Sequence, residues 1–506
     1  MKRAFFYISL LLPLFTVAQT TDMYMDKGFE LYDSKDYKGA LDYFTKEIEL
    51  NPENNVAYDY RGLVKSQLSD AQGAIADFTK AIAINPQSFL AYNNRAKVKT
   101  DLRDYQGAIA DCDQAIVINP KFDLAYCNRG NAKNCVSNYD SALADLNQAI
   151  KLNPKNDIAY VDRGNSKSGL GDYSGAIADY NLAIQINTKL AMAYYDIGLV
   201  QNKLKDYYAA ITSFNKAIEL NPEFEAAYTQ RGVTKSDQND NNGAIADFDQ
   251  AIAINPKYAL AYEKRGTAKG KMDNYGEAGT DLSEAIVLDP KNSEAYYNRA
   301  EVKSKLQDNE GAIADFNQAI AIDPKYANAY LDRGVIKYLQ NDYNGAVDDM
   351  TRCIELSSEP GLAYHNRAMA RAALHDFKGA FTDYTRAISL RPDAMEPYFY
   401  RAVLDWQMNN ADLAVADFSK AIKIAPGNAV AYCYRGQCKK LLHDFTGAMA
   451  DLNQAIQLNP KLAEAYRYRA QVKFHLLDKK GACSDWQKGA QLGDVSAVRD
   501  LKENCK

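Results

Sequence analysis

Residues Asn55–Pro86 read NVAYDYRGLVKSQLSDAQGAIADFTKAIAINP, and the chain then repeats them. The pair Asn85-Pro86 returns as Asn119-Pro120, Asn153-Pro154, Asn221-Pro222, Asn255-Pro256 and Asn459-Pro460. Asp289-Pro290, Asp323-Pro324, Arg391-Pro392 and Ala425-Pro426 keep the same register. The spacing is 34 residues without insertion or deletion, so fourteen units tile 21–496, starting at 21, 55, 89, 123, 157, 191, 225, 259, 293, 327, 361, 395, 429 and 463. A fixed period of this size is the mark of a solenoid of stacked repeats.

Within one unit the pattern predicts two helices. The first (helix A) spans about Val56 to Leu68. Asp70 opens the turn as a cap, and the second (helix B) spans about Gln72 to Ile84. It stops at Asn85-Pro86 because proline disfavours helical dihedrals in the residue before it. Ala74, Ile75, Phe78, Ala81 and Ile82 form one apolar face. Gly62 and Ala74 are small enough for close helix approach. One hairpin cannot bury that face, whereas stacked hairpins share a continuous core.

Numbered from Asn55, the unit carries Tyr58 at position 4, Gly62 at 8, Ala74 at 20, Phe78 at 24, Ala81 at 27 and Pro86 at 32. These residues resemble the tetratricopeptide repeat family over nearly the whole chain. The resemblance implies an all-α solenoid of about fourteen helix-turn-helix repeats in a right-handed superhelix. It further implies a groove presented by helix A, mainly by positions 2, 5, 6, 9, 12 and 13.

Two positions depart from the family pattern. Position 7, usually apolar, is Arg in twelve units, and position 11, usually aromatic, is mostly Lys. Like charges four residues apart on a helix repel. Position 23 on helix B is Asp in twelve units, and the two units without it are the two without Arg: Lys27 and Tyr43 in the first, Ile197 and Ser213 in the sixth. This coincidence predicts an Arg–Asp pair inside each repeat, as in Arg61–Asp77, Arg129–Asp145 and Arg265–Asp281. The competing reading is a basic stripe for nucleic acid or phosphate. A dozen matched acids leave such a stripe without net field. The net charge of −5 also argues against nucleic acid or an anionic membrane.

The N-terminus, MKRAFFYISLLLPLFTVAQT, has a basic start, an apolar stretch and small residues at Thr16 and Ala18. It reads as a secretory signal peptide removed after residue 18, with no integral membrane segment thereafter. The expected location is periplasmic or secreted, in a bacterium, since no Asn-x-Ser/Thr sequon occurs. Of eight cysteines, Cys112 and Cys353 fall at core positions, and Cys127 and Cys135 are too far apart on one helix to bridge. Cys483 and Cys505 are the candidate disulfide, against the alternative of two ordinary thiols. Residues 497–506 are expected to form a capping helix, with Val498 and Leu501 on its apolar side. The sixth unit, lacking Arg, Lys and Asp at positions 7, 11 and 23, is a hinge, a special contact or a neutral variant.

The groove positions vary on this fixed frame, as a recognition surface does. Asn94, Asn128, Asn131, Asn165, Asn298 and Asn366 could grip an extended peptide backbone, since an amide both donates and accepts; the alternative is a hydrated groove. Tyr338, His365, Phe399, Trp406 and Phe474 are candidate apolar anchors, against packing between repeats. No catalytic, cofactor or metal-ligating constellation is recognised, and none of the four histidines has metal-ligand spacing. The expected function is a non-enzymatic scaffold binding a protein or extended peptide. An envelope-assembly or secretion chaperone is the alternative, and a carbohydrate-binding module comes third.

Overall fold

A computed structural model describes residues 23–505; the signal-peptide assignment at 1–18 lies outside the described residues. Every regular element among them is an α-helix. The chain divides into two compact units, 1–264 and 265–506, each a run of helical hairpins packed in sequence order.

The repeat that opens the pattern shows why. Helix A runs Asn55–Gln67 and helix B Ala71–Ile84. The same pair follows as Phe89–Asp101 and Tyr105–Ile118, and so on at 34-residue intervals. Helix A ends at a residue of left-handed backbone conformation at position 15. In thirteen repeats this residue is not glycine, as with Ser69 (φ 65) and His375 (φ 62); Gly171 serves in the other. The Asp70 amide then donates to the Lys65 carbonyl at 2.8 Å, closing a wide C-terminal turn. A left-handed non-glycine residue costs about 1–2 kcal/mol, so this turn is held by the packing of the two helices. Helix B starts from Asp70, whose carboxylate accepts the Gly73 amide at 2.9 Å. A Cβ on Gly73 would lie 2.0 Å from Asp70 Oδ2, so glycine permits this close cap; in repeat six Ala209 takes the place and its amide reaches Asp206 at the longer 3.2 Å.

Packing follows from two small positions. A Cβ on Gly62 would meet the Phe78 ring at 2.7 Å, so glycine lets helix A rest against that ring. Ala74 and Phe78 are fully buried and cluster with Val98 from the next repeat's helix A. Within each unit a helix B is thus covered by the following helix A, the arrangement that shares one core among neighbouring repeats.

In each of twelve repeats the position-7 guanidinium grips the position-23 carboxylate with two nitrogens. Arg61 donates to Asp77 through Nε at 2.8 Å and Nη2 at 2.7 Å. In ten of these repeats the position-11 lysine completes a triad, as with Lys65 Nζ 2.7 Å from Asp77 Oδ2; repeat eleven uses Arg371, and repeat twelve has Asp405 there and keeps only the pair. The carboxylate between the two cations removes the repulsion expected from like charges four residues apart. The third arginine nitrogen goes further than the sequence reading foresaw, reaching position 25 of the preceding repeat. Arg95 Nη1 donates to Thr79 Oγ1 at 3.0 Å, Arg163 Nη1 to Asn147 Oδ1 at 2.8 Å, and Arg435 Nη1 to Ser419 Oγ at 3.1 Å. The pair is therefore internal to the repeat, while the arginine also bonds across the repeat boundary.

Repeat six solves the same problem without charge. Ile197 joins the buried core, and Ser213 Oγ donates to Gln201 Oε1 at 2.7 Å. At the C-terminus, helix Val495–Asn504 packs Ala497 and Leu501 on Trp486 and Ala482. Val498, expected on the apolar side, is instead 36% exposed; the i, i+4 spacing of Ala497 and Leu501 sets the buried edge, and Val498 lies off it. Cys483 and Cys505 are joined as a disulfide, with Cα atoms 5.7 Å apart. Cys112, Cys127, Cys353, Cys433 and Cys438 are buried free thiols, and Cys135 is exposed.

Two outcomes are expected on unfolding in urea. Asp247→Ser alone should cost about 3–5 kcal/mol, because it strands two partly buried cations. Replacing Arg231, Lys235 and Asp247 together by the Ile, Gln and Ser of repeat six should cost far less. Cys505→Ser should destabilise the last repeat by about 3 kcal/mol, the entropy of a loop of this length, read as faster amide exchange in helix Lys479–Gln491.

Candidate functional site: the helix-A face

Positions 5, 6, 9 and 12 of successive A helices meet side by side, and most of their polar groups pair with one another. Asn94 Nδ2 donates to Asp59 Oδ1 at 3.2 Å, and Asn128 Nδ2 to Asn93 Oδ1 at 2.8 Å. Both bonds join position 6 to position 5 of the repeat before. Asn131 Nδ2 donates to Asp162 Oδ1 at 3.0 Å and Asn298 Nδ2 to Thr267 Oγ1 at 3.2 Å, joining position 9 to position 6 of the repeat after. Tyr297 donates its hydroxyl to Asp332 Oδ2 at 2.6 Å. Asn165 is held differently: its Oδ1 accepts the Tyr180 hydroxyl at 2.8 Å. Amides at these positions thus spend part of their capacity in rungs between repeats. The sequence holds the signal for these rungs, as polar residues 31 or 35 apart, and it is readable only once the helices are known to stack side by side.

The aromatic candidates separate into buried and accessible groups. His365 is buried between the Tyr384 and Tyr400 rings, at 5.6 and 5.7 Å. Burial pushes its imidazole below the usual value, and Nδ1 has no hydrogen-bond partner. Phe399 and Trp406 are half-buried on the Phe418–Ala414 core, with Trp406 5.2 Å from Tyr434. Phe474 is 39% exposed and 5.5 Å from Trp486.

Tyr338 and Asn366 line a small apolar notch of about 160 Å³ with Val335, Leu339, Met350 and Met369. The same repeat positions open twice more. Gly270, Leu282, Asn298 and Glu301 line a notch of about 250 Å³ between repeats eight and nine. Asn165, Ser168, Tyr180, Asp196 and Asn202 line one of about 360 Å³ between repeats five and six. In each case positions 9, 12, 13 and 24 of one repeat face positions 6 and 9 of the next. The three notches thus share one repeat locus, with an apolar lining in the first and mixed polar and apolar linings in the other two.

The face also carries partly dehydrated carboxyls. Burial raises Asp59 and Asp162 to about 6, against the opposing bonds from Asn94 and Asn131. Asp196 is raised to about 7 by burial and then by Asp162. Among the described residues no group of three or more His, Cys, Asp or Glu is placed to hold a metal ion, and no helix is long and apolar enough to cross a membrane.

Stacked helical hairpins of constant length define a repeat-built interaction protein. Tetratricopeptide repeat profiles match residues 191–224 and, in three segments, 60–121, 136–191 and 365–429; a TPR repeat profile matches 235–273 and 304–341. The chain belongs to the tetratricopeptide repeat family. Among solved structures it is similar to the APC/C hetero-tetramer Cut9-Hcn1, at 14% identity and TM-score 0.50 over 96% of both chains. It is also similar to a tetratricopeptide repeat protein from Parabacteroides merdae, at 19% identity and TM-score 0.43 over 49% of this chain and 98% of that one. YrrB, described as a TPR protein with an unusual peptide-binding site, aligns at 23% identity and TM-score 0.30 over 36% of this chain and 95% of that one. A comparison with curated protein sequences gives no match.

The raised carboxyls give a pH dependence of definite sign. A carboxyl whose folded-state value exceeds its ordinary 3.8 stabilises the fold while protonated. That contribution is complete below about pH 4 and is lost as pH rises through 6 to 7. Melting temperature should therefore fall between pH 5 and 8, and Asp196→Asn should flatten the slope, measured by circular dichroism.

Proposed function

We propose that this protein is a non-enzymatic scaffold that binds a protein segment on its helix-A face. The recurring notches carry the reading: the same locus opens at three joints, with chemistry that differs among them while the frame stays constant. Such a surface reads an extended segment by seating alternate side chains, while free amide hydrogens and carbonyls of the asparagine rungs remain for its backbone. Tyr338 and the apolar notch beside Asn366 supply a hydrophobic anchor of the kind that dominates binding energy. We further propose that the chain is exported to the periplasm or beyond. The leader-like residues 1–18 support this, and the Cys483–Cys505 disulfide is at home in an oxidising compartment. The chaperone reading shares the same face and differs only in the number of partners.

A photoreactive benzoylphenylalanine placed at Tyr338 should cross-link a protein partner in an envelope extract. The same group at Tyr208, an 83% exposed residue of helix Tyr207–Leu220, should not. A single cross-linked partner favours the scaffold and many unrelated partners favour the chaperone. Equal labelling from both sites removes the helix-A face as the binding surface.

A further inference from the structure

The notch between repeats five and six differs from its counterparts in one respect that bears on what fills it. Elsewhere, carboxylates at this locus are supplied with a donor from the neighbouring repeat. Asp162 accepts from Asn131 Nδ2 and, at 3.6 Å, from the Cys127 thiol. Asp332 accepts from the Tyr297 hydroxyl, and Asp59 from Asn94. Asp196 occupies position 6 like Asp162 and Asp332, but both of its donors are gone. Position 5 of repeat five is the buried Val161, which has nothing to donate. Position 9 is Asn165, whose Oδ1 accepts the Tyr180 hydroxyl and whose Nδ2 does not act on the Asp196 carboxyl.

The position-7 and position-11 cations of other repeats serve position 23, so they supply no countercharge at this locus. Repeat six has Ile197 and Gln201 where others have arginine and lysine. The nearest such arginine of repeat five, Arg163, is committed to Asp179 at 2.6 Å. Lys203 sits exposed at the mouth, and the groups that act on the Asp196 carboxyl are its own burial and the like charge of Asp162. A second acceptor faces the same space: Asn202 Oδ1 is buried without a hydrogen-bond partner. Tyr139, Tyr180, Leu199 and Val200 also line it, together with Ser168, Gly169 and Gln230. The first four are apolar in body and suit an aliphatic stem whose charged tip seeks a carboxylate.

Asp196 is half-buried, and a partly desolvated carboxylate without a protein donor gains by pairing with a cation. A notch that offers two acceptors beside aromatic and aliphatic side chains suits a cation on a hydrocarbon stem. We propose that this notch takes the basic side chain, lysine or arginine, of a peptide lying on the helix-A face, with Asp196 as its charge partner and Asn202 as a second acceptor. The inference rests on the peptide-binding reading above and specifies one of its pockets.

The test is selection of a random peptide library on the full chain and on its Asp196→Asn variant, followed by sequencing. The parent should enrich lysine or arginine at one peptide position at least fivefold over the starting library, and the variant should lose that enrichment while still selecting peptides. The variant should also melt at an equal or higher temperature than the parent, since a residue kept for binding contributes nothing to the unliganded fold. Peptides selected without basic enrichment, or with enrichment that survives Asp196→Asn, would overturn the cation notch and leave the peptide-binding reading standing. Recovery of no peptide by either protein would overturn both. A melting temperature lowered by several degrees in the variant would assign Asp196 a structural role and likewise overturn the inference.

Discussion

A buried carboxylate must be paired, and this single constraint sets the geometry of every ordinary repeat. The position-23 aspartate lies under its own helix A, nearly closed off from water: Asp179 and Asp383 are each 2% exposed. Two guanidinium nitrogens converge on it, joined in ten repeats by a lysine ammonium and on Asp383 by Arg371, so the distance and rotation between helices A and B have little freedom. The same arginine then bonds position 25 of the preceding repeat and lies over the position-4 tyrosine of its own helix, 5.4 Å from the Tyr58 ring centroid in the case of Arg61. One side chain thereby couples the inside of a repeat to the joint between repeats. Replacing such a pair by apolar groups is often no loss of stability, whereas breaking it is expensive. The triad is best understood as fixing register.

Repeat six shows that the constraint has another solution. Ile197 fills the space with hydrocarbon, and a serine–glutamine bond replaces the ionic one. All three positions change together, because any one change alone would strand a charge. The coordinated absence that looked in the sequence like a hinge, a special contact or drift is, at these positions, a self-consistent substitution of packing for charge. The unpaired acceptors at its edge lie on the other side of helix A.

The helix-A face obeys the same rule with weaker groups. Amides and hydroxyls at positions 5, 6, 9 and 12 bond across several joints, and between repeats five and six, where no such bond forms, the notch carries open acceptors. The face is therefore part scaffold and part receptor. Asparagines such as Asn94 and Asn128 serve the joint first, whereas Tyr338 and Asp196 line open space. The half-buried Phe399 and Trp406 belong with the core of their repeat, and His365 is enclosed by tyrosines.

The sequence by itself determined the period, the two helices of each repeat, the apolar face of helix B, the arginine–aspartate pairing and the family. All of these are encoded in residues close along the chain or in identities repeated at a fixed interval, and periodicity reveals such identities without coordinates. The tertiary structure decided what depends on contacts between residues 16, 31 or 35 apart: the arginine's third bond, the asparagine rungs and the three notches. It also decided the left-handed residue at position 15, where packing overrides the local preference for glycine, and the edge of the C-terminal helix that takes Ala497 in place of Val498. Those features arise from which side chains face each other across a joint, and that is fixed only when the helices stack.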